Sequence, residues 1–218
     1  MKIIKPYFII EDVFDGEEML KKLEKAGRTC YKSEERIGEN SSRSFIKKII
    51  ESGHETILEH EKITVRVICD RGVTHEIVRH RIASYSQEST RYCNYSANKF
   101  RGEITVVGPC FWPMKDPKRK IIDEDFPKRV VWREAMEFAE RSYLRLIELG
   151  ATPQEARSVL PNSLKTEIVM TMNLREWRHF FRLRCSPKAH PQMREIAIPL
   201  LNEFQKLIPV IFDDIVFE

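Results

Sequence analysis

The sequence predicts an α+β fold, with a mixed or antiparallel central sheet packed with helices in a single domain over residues 1–218. Three observations carry this. Short alternating segments and longer segments of helical period interleave without a regular β-α-β rhythm. No strand runs into a G-x-G-x-x-G turn, so the doubly wound dinucleotide fold is excluded. At 218 residues, 42% hydrophobic and 32% charged, the chain is long enough for one well-formed core and short for two.

The elements follow in order. Lys2 to Ile10 reads as a first strand, and Asp15 to Ala26 as a helix with Met19, Leu20 and Leu23 inward and Gly27 as its stop. Ser41 or Ser42 caps a helix from Phe45 to Ser52, closed by Gly53. Ile63, Val65, Val67 and Cys69 alternate with polar residues, as in a half-buried strand. Asp70 then stands at an N-cap position before a short helix, Val73 to Arg79. From Arg81 to Arg101 no period holds. Glu103 to Val107 is a strand, and the proline-rich, charged stretch from Phe111 to Pro127 a surface insertion. Lys128 to Leu149 is a long amphipathic helix ending at Gly150, and Pro153 to Leu160 a shorter one stopped by Pro161. Glu167 to Met172 is strand-like, Leu174 to Arg184 helical, and Gln192 to Leu207 helical with a kink at Pro199.

Charge and cysteine content narrow the function classes. Thirty-seven basic residues against 33 acidic ones leave +4, which permits anionic ligands without demanding a nucleic acid. The longest apolar runs are far too short to span a bilayer, and acids at 11, 12 and 15 leave no signal-peptide core. Cysteines 30, 69, 93, 110 and 185 are odd in number and form no C-x-x-C pair. A disulfide framework and a zinc ribbon are therefore not expected, and a reducing cytoplasm is.

The chemistry concentrates between Arg79 and Tyr92. Arg79, His80, Arg81 and Arg91 are interspersed with Ser84, Ser86, Ser89, Thr90, Tyr85 and Tyr92, beside one acid, Glu88. Arginine forks match phosphate oxygens, hydroxyls complete such a cradle, and tyrosines cover flat rings. A solvated basic loop is the plainer reading, but the filler here is aromatic and hydroxylic rather than Lys and Glu. A second constellation lies on the 173–184 helix. At 100° per residue Asn173, Trp177, Phe180 and Arg184 share one face, and Arg175, Arg178, His179 and Arg182 lie mostly on the other. Arg184 at the end of an apolar face needs either a partner or the helix C-terminal dipole. The cluster His54-Glu55-Thr56-Ile57-Leu58-Glu59-His60 fails the H-E-x-x-H spacing at Leu58, and no metal is expected. Cys110 has no neighbouring histidine and Ser89 no nucleophile elbow. Anion binders and ring stackers without a protein nucleophile suit an enzyme whose cofactor carries the hard chemistry.

The same residues resemble the flavin-dependent thymidylate synthase family. Arg79-His80-Arg81, seven residues, then Ser89 is similar to its signature, flanked by Thr74-His75-Glu76 and Thr90-Arg91-Tyr92. His54-Glu55-Thr56 with Glu59-His60, Ala156 to Pro161, Asn173-Leu174-Arg175 and Leu183-Arg184 follow in the family's order, covering roughly residues 28 to 200. The resemblance implies reductive methylation of dUMP to dTMP, the step of de novo dTMP biosynthesis. Methylenetetrahydrofolate would give the carbon, NADPH the electrons and FAD the redox cofactor, with no cysteine nucleophile. It assigns Thr56, Glu59, Arg79, His80, Arg81, Gln87, Asn173, Arg175 and His179 to FAD. Glu76, Arg79, Gln87, Ser89, Arg91, Arg157 and Arg184 fall to dUMP, with Arg184 also catalytic, favouring ionised N3 of the pyrimidine. It further implies a homotetramer whose sites draw on several subunits, in the cytoplasm, with neither nucleic acid nor membrane as partner. Gln87, Glu76 and His179 stand where some members have Glu, Gln and Asn, each keeping hydrogen-bonding capacity.

Two other readings fit parts of the sequence. A nucleic-acid-binding module would use Arg79 to Arg101 with Tyr85, Tyr92, Tyr95 and Phe100 as stacking platforms, against the modest net charge. A metal-dependent hydrolase would use His54, Glu55 and His60. Bound flavin, salt-sensitive RNA binding or stoichiometric zinc separates the three.

Overall fold

A computed structural model describes residues 1–112 and 124–217. The fold is α+β. Among the described residues six strands form two sheets: β1 (Lys2–Ile4) pairs with β5 (Thr105–Val107), and the second sheet has the order β2 (Tyr7–Ile10), β3 (Lys62–Asp70), β6 (Lys165–Asn173), β4 (Ser84–Gln87). The β1–β5 pair is parallel, with Ile3 opposite Val106, while Val106 forms an antiparallel bridge to Leu164. Helices α1 (Gly16–Arg28), α2 (Ser41–Glu51), α3 (Arg71–Ile77), α4 (Phe126–Glu148), α5 (Pro153–Ala156), α6 (Leu174–Arg184), α7 (Pro191–Leu207) and α8 (Pro209–Phe212) complete the described elements, with short 3-10 turns between some of them.

The described chain divides into two compact units. The first comprises residues 1–7, 68–77 and 86–168; the second comprises 8–67, 78–85 and 169–218. In the first, the helix α4 residues Met136 and Tyr143 bury against Tyr95, Ile104, Val106 and Leu164. In the second, Trp177, Phe180 and Phe181 of α6 pack on one another, Trp177 and Phe181 meet Phe204 of α7, and Phe181 and Phe204 meet Phe212 of α8, with ring centroids 5.0–5.7 Å apart. Edge-on aromatic pairs of this kind add to the area they bury.

Several boundaries differ from the sequence reading, each for a local reason. The first strand is two, because Lys5 and Pro6 interrupt it and β1 and β2 join different sheets. Asp15 caps α1 as its side chain suggests, accepting from the Glu17 amide at 2.8 Å. Gly27, however, does not stop that helix. It is buried inside it, where a Cβ would come within 2.8 Å of Phe45 and Ile57, so the glycine permits close packing. Helix α2 begins at Ser41, earlier than expected, and the Ser41 hydroxyl is spent on Glu24 at 2.7 Å rather than on a cap. Asp70 does cap α3, accepting from the Val73 amide at 2.9 Å. Strand β4 lies inside the stretch where no period held, since four residues are too few to show one. The 153–160 helix is one turn of α followed by a 3-10 turn. Gly150 ends α4 with φ +92, a conformation that favours glycine. Helix α7 runs through Pro199. Of the insertion expected from Phe111 to Pro127, residues 113–123 lie outside the described residues, and Phe126 already belongs to α4.

Candidate active site

In the second unit the site is organised by α6. Its alternating approach strand β6 ends at Asn173, whose side chain caps the helix by accepting from the Glu176 amide at 2.8 Å. Trp177 fixes the helix from below, donating its indole N–H to the Ile63 carbonyl at 3.0 Å. On this scaffold Asn173, Arg175 and His179 line a cavity of about 460 Å³ together with Arg182, Ile82 and three acids, Glu55, Glu59 and Glu176. Arg175 donates to Glu59 at 2.6 Å. Thus Glu59, Asn173, Arg175 and His179, all assigned to FAD by resemblance, share one concavity. Thr56 is exposed on the 3-10 turn 55–60, and Arg79 and Arg81 are exposed after α3, with no carboxylate partner among the described residues.

His80 differs from its two arginine neighbours. It is 4% exposed, its ring 5.0 Å from that of Phe180 and 5.6 Å from that of His179. Its Nδ1 lies 3.2 Å from Glu176 Oε1, and Arg184 Nε donates to its Nε2 at 3.0 Å. The Tyr85 hydroxyl donates to its carbonyl at 2.7 Å. Burial, followed by the charges of Arg184 and His179, lowers the imidazole pKa to about 4, so His80 is neutral at physiological pH. The Glu176 contact is then a hydrogen bond rather than an ion pair. Burial likewise raises the Glu176 carboxyl and lifts the Tyr85 phenol to about 12. His80, Glu176 and His179 bring ligand atoms within 4.8 Å of one another, with His80 Nδ1 turned to Glu176 and its Nε2 to Arg184.

Arg184 is half-buried, as its place on the Trp177 and Phe180 face requires, and its Nε engages His80. Arg178 corrects the helical-face reading. Expected on the polar side, it is fully buried, forked onto Asp214 at 2.6 and 2.7 Å, 3.2 Å from Glu55, and donating to the Ile211 carbonyl. Helix α6 is covered on more than one side, and acids near α8 and α2 supply the counter-charge. That commits Glu55, once a candidate metal ligand, to Arg178 and Arg182.

In the first unit Ser89, Arg91 and Arg157 stand around a more open surface. Arg71, Thr90, Gln154, Arg157 and Ser158 line a cavity of about 490 Å³. Arg91 Nε donates to Gln154 at 3.0 Å, and its guanidinium lies 5.4 Å from the Tyr92 ring centre. Ser89 Oγ accepts from the Arg91 amide at 3.3 Å, a local turn that presents both residues. Neither Arg71 nor Arg157 forms an ion pair among the described residues, so an anion is the complement this surface lacks. Glu76 is half-buried on α3. Gln87 is turned inward, its amide nitrogen donating to Thr74 at 3.0 Å and Thr166 at 3.3 Å.

Sequence reasoning missed Arg71, Glu176 and a whole cavity. Glu176 hides as an ordinary first-turn acid three residues past a cap. Arg71 sits directly behind the Asp70 cap and carries no motif. The cavity, about 840 Å³, lies between α1 and α2 and is lined by Arg28, Tyr31, Lys32, Phe45, Lys48 and His54 among others. Its cations and rings can receive an anionic ligand with a flat ring, and no periodicity announces it.

Residues 13–210 match the family described as Thymidylate synthase complementing protein. The chain is 35% identical over 196 residues to a protein of Geobacter sulfurreducens named flavin-dependent thymidylate synthase, covering 87% of this chain and 78% of that one. It is 38% identical over 181 residues to a Pyrococcus furiosus protein of the same name, covering 83% and 69%. Among solved structures, a UMP/dUMP methylase, PolB, from Streptomyces cacaoi, bound with 5-Br dUMP, superposes with a TM-score of 0.76 at 25% identity, covering 98% of this chain and 96% of that one. No helix among the described residues is long and apolar enough to cross a membrane. With a family match over nearly its whole length and relatives well above 30% identity, the chain belongs to the flavin-dependent thymidylate synthase family.

Proposed function

We propose that the protein converts dUMP to dTMP, taking a carbon from methylenetetrahydrofolate and electrons from NADPH, with FAD as its bound cofactor, in the cytoplasm. The observation that carries this reading is the α6 concavity, where Asn173, Arg175 and His179 converge beside Arg184 in a chain of this family. The donor set fits FAD: two arginines and an imidazole suit a diphosphate, and Asn173 and Glu59 suit ribose hydroxyls. Thr56, Arg79, Arg81 and Gln87 complete the proposed set. When bound, FAD supplies the redox chemistry that no side chain here can.

The chain's own tasks are then binding, orientation and charge. Ser89, Arg91 and Arg157, with Glu76, Arg79 and Gln87, hold dUMP, its phosphate on the arginines. Arg184 lies against the pyrimidine, where a cation a few ångströms from N3 favours the ionised ring by about 1–3 pKa units. In a homotetramer whose sites draw on several subunits, the FAD and dUMP sets need not come from one chain. The co-substrates are anions bearing flat rings, chemistry that the cavity at Tyr31, Lys32, Phe45 and Lys48 complements. Burial raises the thiols of Cys69, Cys93 and Cys185, which supports a route without a cysteine nucleophile.

The test is direct. Protein saturated with FAD and supplied with NADPH, methylenetetrahydrofolate and dUMP forms dTMP, and Arg184→Ala loses about a hundredfold or more in kcat/KM while retaining FAD. Arg184→Lys keeps the charge but not the fork and falls between. No dTMP from the wild type, or near-normal turnover by Arg184→Ala, overturns the reading.

A further inference from the structure

We infer that Glu176 is a positioning residue for the proposed reaction, acting through His80 to hold the guanidinium of Arg184. The inference rests on the dTMP reading only for what Arg184 does, and not for how it is held.

The geometry leaves one consistent arrangement of protons. Arg184 Nε can only donate, so His80 Nε2, 3.0 Å away, must accept. A neutral imidazole with an accepting Nε2 carries its proton on Nδ1. That N–H meets Glu176 Oε1 at 3.2 Å, which can only accept when ionised. Glu176 thus selects the tautomer that presents a lone pair to Arg184. The opposite tautomer would set an N–H against an N–H and turn the guanidinium away.

Each member of the chain is itself fixed. Glu176 is 8% exposed and sits in the first turn of α6, its backbone amide held by Asn173 at 2.8 Å. The imidazole packs on Phe180, and its backbone carbonyl receives the Tyr85 hydroxyl. Burial of His80 supports the neutral imidazole this arrangement needs. Burial works against the Glu176 carboxylate while Arg175 and His179 favour it, and its one side-chain hydrogen bond among the described residues goes to the His80 ring, so orienting a functional arginine is a sufficient reason to keep it.

Two measurements decide the matter. Nitrogen-15 NMR of FAD-saturated protein with labelled histidine should show His80 neutral at pH 7, protonated on Nδ1 and bare on Nε2. The opposite tautomer overturns the proposal with no variant needed. Glu176→Met removes the acceptor at similar volume, and kcat of the FAD-saturated variant at saturating dUMP should fall between about ten- and a hundredfold, as expected for a reacting group displaced by up to about 1 Å. Glu176→Gln retains an accepting oxygen and should recover to within about threefold of wild type. A Met variant within about threefold of wild type, or a Gln variant no better than Met, overturns it. If the wild type forms no dTMP, the functional reading fails, while the tautomer still decides whether Glu176 organises His80.

Discussion

The two units hold their arginines in opposite ways. Around α6, Arg178 and Arg184 are met inside the unit, the first by Asp214, Glu55 and a carbonyl, the second by a neutral histidine. In the other unit, Arg71 and Arg157 border an open cavity with hydroxyls and an amide but no carboxylate partner among the described residues. An arginine matched by protein groups is rigid before any ligand arrives, and its loss is felt by the fold. An arginine left to water is completed only by an anion, and its loss is felt by binding. The contrast separates a preorganised surface from a ligand-completed one.

Arg178 gives the largest expected effect. Arg178→Met leaves Glu55 and Asp214 with only Arg182 to pair with among the described residues, and removing one partner of a buried pair costs about 3–5 kcal/mol. Asp214 is 46% exposed on its side chain and can turn to water, so a loss below that range, about 2–3 kcal/mol, is expected here. Denaturant unfolding of wild type and variant reads this directly. An unchanged midpoint would mean the α6 unit is not braced by its arginine. Burial works against ionising Asp214, yet the bonds from Arg178 and the charges of Arg178 and Arg182 outweigh it and hold the carboxyl below its ordinary value. Its contribution is therefore present above the ordinary aspartate range and is lost as pH falls through the lowered one.

His80 gives the next effect, and its sign is set by a depressed pKa. The unfolded chain takes up a proton near pH 6.5, the folded chain only near 4, so protons favour the unfolded state in between. At 1.36 kcal/mol per pH unit this removes up to about 3 kcal/mol of stability between pH 6.5 and 4. His80→Gln lacks the linkage. The difference in unfolding free energy between wild type and variant should shrink as pH drops across that window. A difference constant from pH 7 to 4.5 would show that His80 titrates normally in the folded protein.

Much of the braced unit could be read from the sequence. Helix α6 was expected over Leu174 to Arg184, as found, the alternation of β3 was plain, and Glu167 to Met172 read as strand-like. What escaped was pairing. Asp214 and Glu55 lie 36 and 123 residues from Arg178, and no local pattern links them to it. The R-H-R motif placed three residues together, but only tertiary packing sends His80 inward while Arg79 and Arg81 stay outside. In the open unit, motif residues Ser89, Arg91 and Arg157 were legible, whereas Arg71 and Gln154 join them only by folding.

Arg71 sharpens the comparison for the open unit. If its surface is completed by the dUMP phosphate, Arg71→Gln and Arg157→Gln should each raise KM for dUMP about tenfold, with kcat and thermal stability nearly unchanged. A charge-assisted hydrogen bond is worth about 1.5–3 kcal/mol, and solvent exposure takes the lower end. Added salt should weaken dUMP binding in the wild type more than in either variant. A fall in stability with no change in KM would place these arginines with Arg178 rather than opposite it.

Ser89 gives the smallest effect, and it tests whether the open unit only binds. Its hydroxyl is half-buried, accepts the Arg91 amide at 3.3 Å, and has no base beside it to make it a nucleophile. Removing the oxygen frees one exposed amide, which water can satisfy, so the turn itself loses little. The loss should fall on the ligand, where one neutral hydrogen bond is worth about 1 kcal/mol, or roughly fivefold in KM for dUMP. Ser89→Ala should therefore still make dTMP at close to the wild-type rate once dUMP is saturating. Mass spectrometry of enzyme quenched during turnover should find no covalent adduct on Ser89. An adduct there, or loss of turnover that saturating dUMP cannot restore, would move the chemistry itself into the open unit and undo the division drawn between the two.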